Sequence, residues 1–500
     1  MAALRTEAGS EARKGVAART GEQFLAGLAG GEREIWLNGE KITHPLEHRE
    51  LEAAARSMAR VFDVQHEHAE EMLAASPDDG RLVNVTHLIP RSKEDLERRR
   101  RAIELTASFS GGTMGRTPDY LNVTFACFAG RSDVWARRGN EQGAENLVAY
   151  QRHMRDADLS TTHALINPQV DRSKPEAEQA AGEISLHKIG ETENSIVVRG
   201  GRMLATLAPF ADDLLIYPGS DIRPQDGRYA LSFAVPIATP GLKFICRDSY
   251  SKQRPAYDYP LSSRFDEMDC VVIFDDVEVP RDRVFIDGNK EVYSGVMLPT
   301  AWWANIMQQT TIRALTKLEF AYGLASLMAE AVNDTTPHTL EMLGELHGYV
   351  EITRSAVLLA EEHAYDRGEG VWFPDGRPLH PMRAQLAVWF PRVNEILIAI
   401  GSHNLLATPS RAMLDDGRLR PLIEEFLHGA NGVDAERRAA LYRLAWDFVG
   451  SNLGSRNDLY ERNYLASART NRIGAYMIYS DRTRPHALVD AILGAARSEG

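Results

Sequence analysis

The sequence predicts an α+β protein, mainly helical, built as a helical part, a β part and a second helical part in chain order. Three observations carry that prediction. From 21 to about 153 the chain is rich in long charged and apolar helix formers. From about 159 to 287, short β-branched and aromatic runs are separated by Gly, Pro and Asp. Beyond about 297, apolar residues recur at helical spacing to the end. The implied division is a loose tail over 1–20, a helical domain over 21–153, a β domain over 154–290 and a helical bundle over 291–500. Five hundred residues exceed one small core, so several domains fit the length.

The tail is polar and Ala/Gly-rich and lacks the apolar stretch of a secretory signal. No run reaches the roughly eighteen apolar residues of a membrane span. Helices are predicted over 50–62 and 93–109. The basic run Arg98–Arg101 reads as a solvated helix face. His66 and His68 resemble a metal pair, but at i, i+2 they face apart on a helix, and no metal is assigned. The strand-like runs are 195–199, 213–217, 229–235 and 270–274. No helical crossovers separate most of them, which favours a small antiparallel sheet or barrel over a doubly wound parallel sheet. Ile312, Leu315, Leu318 and Tyr322, then Leu343, Leu346 and Val350, mark the core faces of bundle helices.

Composition narrows the function. Apolar and charged contents of 44% and 25% are ordinary for a soluble enzyme. A net charge of −13 argues against nucleic acid as a partner. Cys127, Cys246 and Cys270 lie far apart without a CxxC, which fits a reducing cytoplasm and no disulfide framework. Dinucleotide, P-loop, zinc-protease and nucleophile-elbow motifs are all missing from the sequence.

The chemistry concentrates in four blocks. Glycines at 111, 112 and 115 lead into Arg116-Thr117-Pro118-Asp119-Tyr120. Pro118 fixes a turn, so Arg116 and Tyr120 either face a cavity from a stiff loop or form an Arg–Asp pair beside a packed tyrosine. His163 stands in an apolar, hydroxyl-rich stretch and reads either as a core histidine or as a reactive one. A cation, a phenol and an imidazole together suit a site that binds a phenol as its phenolate. Thr206 stands at a strand end, where a hydroxyl suits a flat heterocycle. Gly454, Ser455, Arg456 and Asn457 form either a pyrophosphate-holding loop or a capped helix start.

Five runs in order, SFSGGTMGRTPDYLN (108–122), DLSTTHALINPQVDRS (158–173), VVRGGRMLATLAPFADDLLIYP (197–218), FDEMDCVVIFDDVEVPRDRVF (265–285) and GSRNDLYERNY (454–464), resemble the oxygenase component of the 4-hydroxyphenylacetate 3-monooxygenase family. These are two-component flavin-dependent phenol hydroxylases. The resemblance spans about 21 to 490. It implies an acyl-CoA dehydrogenase-like fold with an N-terminal helical domain, a middle β-barrel and a C-terminal four-helix bundle. It also implies a homotetramer, a dimer of dimers. FAD would arrive as FADH2 from a separate NAD(P)H:flavin reductase, with O2 as co-substrate, so this chain needs no dinucleotide fingerprint.

By position, the resemblance makes Arg116, Tyr120 and His163 the residues that hold the phenol oxygen. His163, Ala164, Leu165, Gln169, Val170, Asp171 and Arg172 would contact the flavin, and Thr206 would sit near its N5. Ser220 and Asp221 would touch substrate from a variable loop, and Gly454, Ser455, Arg456 and Asn457 would form a second flavin loop. The implied reaction hydroxylates a para-substituted phenol ortho to its hydroxyl, through a C4a-hydroperoxyflavin, to give a catechol. In it Arg116 stabilises the phenolate, Tyr120 donates a hydrogen bond and His163 accepts the phenol proton. A tyrosine-like substrate tethered to a carrier protein is an alternative. Another class on the same fold is an acyl-CoA dehydrogenase-like flavoenzyme with a glutamate base. A related iron–sulfur dehydratase fails for lack of clustered cysteines, and a non-catalytic scaffold would have lost the matched polar residues.

Overall fold

Helix starts in the N-terminal part are written in local chemistry. Thr20 and Gln23 cap the helix Gly21–Ala29 reciprocally, and Ser92 caps Lys93–Ser108 by accepting from the Asp95 N–H. The computed structural model describes residues 15–498 except 172, 175, 220–225, 253, 368 and 465. Residues 16–20, read from sequence as tail, are held in place: Val16 bridges to Leu82, and Arg19 pairs with Asp212 at 2.7 Å.

The run Arg98–Arg101 is not a solvated face. Arg98 donates to the carbonyls of Glu70, Glu71 and Leu73, closing off the end of the short helix Ala69–Met72. Arg99 is buried and bonds the side-chain oxygens of Asn305 and Gln308, while Arg100 pairs with Glu361 and Glu104. Arg98 and Arg101 thus hold segments within the N-terminal part, while Arg99 and Arg100 fasten that part to helices of the bundle.

The strands before the bundle are, in chain order, β1 (Ile35–Leu37), β2 (Glu40–Ile42), β3 (Leu73–Ala75), β4 (Leu82–Asn84), β5 (Thr161–His163), β6 (His187–Glu191), β7 (Ser195–Thr206), β8 (Asp213–Ile216), β9 (Leu231–Pro236), β10 (Leu242–Cys246), β11 (Asp269–Pro280) and β12 (Val284–Asp287). They do not close into the expected barrel. One sheet runs β2-β1-β10-β11-β7-β6 and a second runs β12-β9-β8-β5. The sheets share an apolar core, in which the Phe233 and Phe274 rings meet edge to face at 6.0 Å. Alternation within short strands reports which face is buried, not whether a sheet closes. Two strands of the first sheet, β1 and β2, come from the N-terminal part, and β1 pairs with β10 in parallel. The long β7 and β11 pair antiparallel, with Thr206 opposite Asp269. The parallel pair β5–β8 sets His163 opposite Leu215.

The bundle is organised by the helix Trp302–Ala331, which packs on Lys93–Ser108 and Asp119–Gly130 on one side and on Pro337–Glu362, Gly376–Gly401 and Ala435–Val449 on the other. That double role explains why it is buried almost all round, including Gln308, Gln309, Arg313 and Lys317. Ile312, Leu315 and Leu318 are in the core as the spacing predicted, and Tyr322 packs at its edge.

Arg313 and Lys317 both reach Glu461 of the later helix Asn452–Asn463, each at 2.9 Å, with all three side chains nearly inaccessible. Burial alone would raise the Glu461 carboxyl, but the two cations outweigh it and hold the group at about 2. A depressed carboxyl contributes stability that is complete above its unfolded value near 4.5 and is lost as pH falls toward 2. Glu461→Gln leaves two buried cations without an anion and is expected to cost about 3–5 kcal/mol in chemical denaturation. The gap between wild type and variant should narrow as pH falls through that window.

Candidate active site

The site begins with a turn that needs its glycines. Gly112 sits at φ +69, and a Cβ there would lie 2.6 Å from the Lys317 backbone nitrogen. Its carbonyl accepts from Arg313 at 2.8 Å, so the turn lies against the central helix. A Cβ on Gly115 would meet the Tyr460 hydroxyl at 2.4 Å. One oxygen of Glu267 then accepts the backbone N–H groups of both Gly115 and Arg116, each at 2.7 Å. After Pro118 the helix Asp119–Gly130 begins and carries Tyr120 on its first turn.

Arg116 is not paired with Asp119. Asp119 accepts from Gln309 at 2.7 Å, and burial raises its carboxyl to about 6. The Arg116 guanidinium stacks over the Tyr120 ring at 4.1 Å and over Tyr464 at 4.7 Å. Its Nη1 is buried and has no hydrogen-bond partner. A buried guanidinium nitrogen left without an acceptor is costly, and it marks where an anionic oxygen would sit.

His163 ends β5 and reaches the same place. Its ring stands edge-on to Tyr120 at 5.4 Å. Its Nδ1 lies 2.6 Å from the hydroxyl of Tyr217, just beyond β8. Burial first, then the nearby Arg116 charge, hold the imidazole well below its ordinary range and therefore neutral. Burial, with Tyr120 adding to it, keeps the Tyr217 phenol protonated. Sequence reasoning treated Tyr217 only as the end of a strand-like run. The parallel β5–β8 pairing brings it to His163.

A second cluster lies beneath the turn. Glu267 gives its other oxygen to Arg456 at 2.9 Å. Asp269, the first residue of β11, accepts from Arg456 at 2.7 and 2.9 Å, from Arg247 at 3.0 Å and from the Thr206 hydroxyl at 2.9 Å. Burial opposes ionisation of Asp269, but Arg456 and Arg247 overcome it and hold the carboxyl at about 2. Neither Glu267 nor Asp269 stood out in the sequence, because their partners are remote in the chain.

The remaining candidates fall in two places. Ala164 is buried behind His163, and Leu165 is half-buried. Gln169 and Val170 run on along the surface, and Asp171 bonds Ser173. Ile166 and Leu204 leave large apolar side chains exposed near the end of β7, where Ile166 and Met203 are bridged, and Val170 is exposed four residues beyond Ile166. Residues 454–457 are not a loop. They lie in the first turns of Asn452–Asn463, whose N-cap Ser451 accepts from the Gly454 N–H. Ser455 is exposed, Asn457 is buried against Arg456, and the Arg456 guanidinium is committed to the two carboxylates. Arg172, Ser220 and Asp221 lie outside the described residues. Among the described residues no group of His, Cys, Asp or Glu is placed to hold a metal.

This geometry has close relatives. Family models described as 4-hydroxyphenylacetate 3-hydroxylase N terminal and C terminal match residues 20–286 and 295–494. The chain belongs to the 4-hydroxyphenylacetate 3-hydroxylase family. Its fold is that family's acyl-CoA dehydrogenase-like fold, with two open sheets in the middle. A 4-hydroxyphenylacetate 3-monooxygenase oxygenase component of Thermus thermophilus is 39% identical over 464 residues, covering 93% of this chain and 95% of that one. A crystal structure of such an oxygenase component, complexed with FAD and 4-hydroxyphenylacetate, superposes with a TM-score of 0.90 at 37% identity and covers 96% of this chain and 99% of that one. A (3S)-3-amino-3-(3-chloro-4-hydroxyphenyl)propanoyl-[peptidyl-carrier protein] monooxygenase of Streptomyces globisporus is 31% identical over 471 residues, covering 91% of this chain and 86% of that one.

In this 4-hydroxyphenylacetate 3-hydroxylase family member, Asp269 ties three segments together beneath the site. Asp269→Asn leaves Arg456 and Arg247 facing a neutral amide and is expected to lower the unfolding free energy by about 3 kcal/mol in chemical denaturation. The exposed control Asp171→Asn should stay within about 0.5 kcal/mol of wild type.

Proposed function

We propose that this chain is the oxygenase component of a two-component monooxygenase that hydroxylates a para-substituted phenol ortho to its hydroxyl and releases a catechol. It uses O2 and reduced FAD made by a separate NAD(P)H:flavin reductase. The observation that carries the reading is the convergence of Arg116, Tyr120 and His163 at one buried place, with Arg116 Nη1 lacking a partner.

The residues present fit a flavin. The exposed side chains of Ile166, Val170 and Leu204 offer apolar surface to a planar ring near the strand end that carries Thr206. The Thr206 hydroxyl spends its proton on an ionised Asp269, so its lone pairs remain to accept from a ring N–H. The start of Asn452–Asn463, with exposed Ser455, suits a pyrophosphate. Ala164, Leu165 and 169–172 would line the same ligand. When bound, reduced FAD with O2 supplies an electrophilic oxygen.

The chain's own residues make the phenol ready for it. A phenolate is far more nucleophilic at its ortho carbon than a phenol is. Arg116 stabilises the phenolate charge where burial makes each charge interaction stronger. Tyr120 donates a hydrogen bond to the same oxygen, and His163 supplies a third contact through its open edge. The aromatic walls exclude water.

Acyl-CoA dehydrogenation would want a free carboxylate base. Glu267 is committed to the turn and Arg456, and Asp269 to Arg456, while Asp119 bonds Gln309 through one oxygen and has its other oxygen buried without a partner. A carrier-tethered tyrosine-like substrate is the second reading, favoured by the Streptomyces globisporus relative. Ser220 and Asp221 would contact the far end of either substrate. Exposed apolar residues on the last helices, among them Ile473, Met477, Val489 and Ile492, suit contact with other copies in a homotetramer. Cys246 and Cys270, remote in sequence, face each other across β10 and β11 with their sulfurs 3.3 Å apart, and a reducing cytoplasm is the compartment that would keep such thiols unjoined.

The test supplies a flavin reductase, NADH and either free phenols or carrier-tethered tyrosines, and reads the products by mass. A gain of one oxygen on a free phenol supports the first reading, and turnover only on the tethered form supports the second. Arg116→Ala and His163→Ala should each lower hydroxylation about 100-fold. Reduced-flavin oxidation should continue in both variants, diverted to hydrogen peroxide. Unchanged coupling in both would remove the assigned roles.

A further inference from the structure

His163 can meet a substrate oxygen in two opposite ways. With a bare Nε2 it takes a proton, and with Nε2–H it gives a hydrogen bond. The choice is made at its other nitrogen, which lies 2.6 Å from the Tyr217 hydroxyl.

Tyr217 has one proton to place. It is 1% exposed, so water does not take that proton. The rings of Phe125, Phe128 and Trp302 pack around it at 6.2, 5.7 and 6.4 Å and fix where its hydroxyl points. Two other hydroxyls bear on it, those of Thr124 and Tyr120. Thr124 already donates to the Tyr120 carbonyl at 2.9 Å and accepts from the Trp302 indole at 3.3 Å. Tyr120 is itself a phenol and a weaker acceptor than an imidazole nitrogen. A buried O–H that donates to nothing is costly, so His163 Nδ1 is the acceptor that satisfies it. The imidazole is uncharged beside Arg116 and carries a single N–H. When Nδ1 accepts, that proton stands on Nε2. His163 keeps 7% exposure, which leaves its other edge to the pocket.

We propose that Tyr217 is a positioning residue: by donating to Nδ1 it fixes His163 as the Nε2–H tautomer, so that His163 meets the substrate oxygen as a third donor and not as a base. This rests on the phenol-binding reading above and reverses the role that the sequence resemblance gave His163. Arg116, Tyr120 and His163 then all favour the anion. The phenol leaves its proton in solvent on entry, and the charge it carries inward is balanced by Arg116. His163 then adds no further cation to the guanidiniums of Arg116 and the buried Arg383, which lies within electrostatic reach of Arg116 and Tyr120.

The test uses 4-nitrophenol as a coloured probe bound to the flavin-free protein, with its ionisation followed by absorbance across pH. In wild type the bound probe should ionise well below its midpoint in water. Tyr217→Phe should raise that midpoint by about one pH unit, a tenfold loss of preference for the anion. His163→Gln keeps an N–H where Nε2 stood and should hold close to the wild-type midpoint. His163→Ala should shift upward at least as far as Tyr217→Phe. An unchanged midpoint in Tyr217→Phe, or His163→Gln shifting as far as His163→Ala, overturns the proposal. If Tyr217→Phe does not fold, the Gln and Ala variants decide alone. A wild type that binds no probe, or binds it without a lowered midpoint, counts instead against the phenol site itself.

Discussion

The Glu267 side chain is the contact on which the site depends. One oxygen holds the two backbone N–H groups of the Gly115–Arg116 turn, and the other holds Arg456. Two residues later Asp269 takes Arg456, Arg247 and Thr206. Segments near 115, 206 and 456, each from a different part of the chain, are thus gathered by two carboxylates at the start of one strand. Burying two carboxylates and two guanidiniums is unfavourable unless every charge meets its partner. That condition is what makes the arrangement specific, since a shifted turn or helix would strand a charge. The Arg313–Glu461–Lys317 group applies the same constraint one turn further along Asn452–Asn463.

The consequence for chemistry is a division of labour among charges. Glu267 and Asp269 are spent on structure and Asp119 bonds Gln309, so the guanidinium of Arg116 has no carboxylate bonded to it. Its other neighbours are aromatic rings, which tolerate a cation on their faces without supplying a counter-charge. Burial first, and then the Arg116 charge, keep the imidazole neutral. The buried Arg383 guanidinium, within electrostatic reach of Arg116 and Tyr120, adds to the positive field there, which is the setting the proposed phenolate would need.

Much of this was legible from the residues. The order of the three parts follows from helical and strand periodicity, because those patterns are set by which face each segment buries. The turn at Pro118 and the need for glycine before it follow from local backbone chemistry. Properties that depend on a distant partner did not follow. Arg98–Arg101 reads as a solvated face until the central helix supplies Asn305 and Gln308. Whether Arg116 pairs with Asp119 or faces a cavity stays open until Gln309 claims the aspartate. Tyr217 looks like a strand residue until β5 is laid beside β8. Residues 454–457 could be read as loop or helix, and the Ser451 cap decides for helix. The sheets stay open because alternation says nothing about closure.

If Glu267 arranges the site before any ligand arrives, the backbone of the turn is already held in the free protein. Hydrogen exchange at the Gly115 and Arg116 amides of the ligand-free chain tests this directly. The account predicts slow exchange at both amides, and a loss of protection confined largely to that turn in Glu267→Gln. Exchange at the rate of an open loop in the wild type would contradict it.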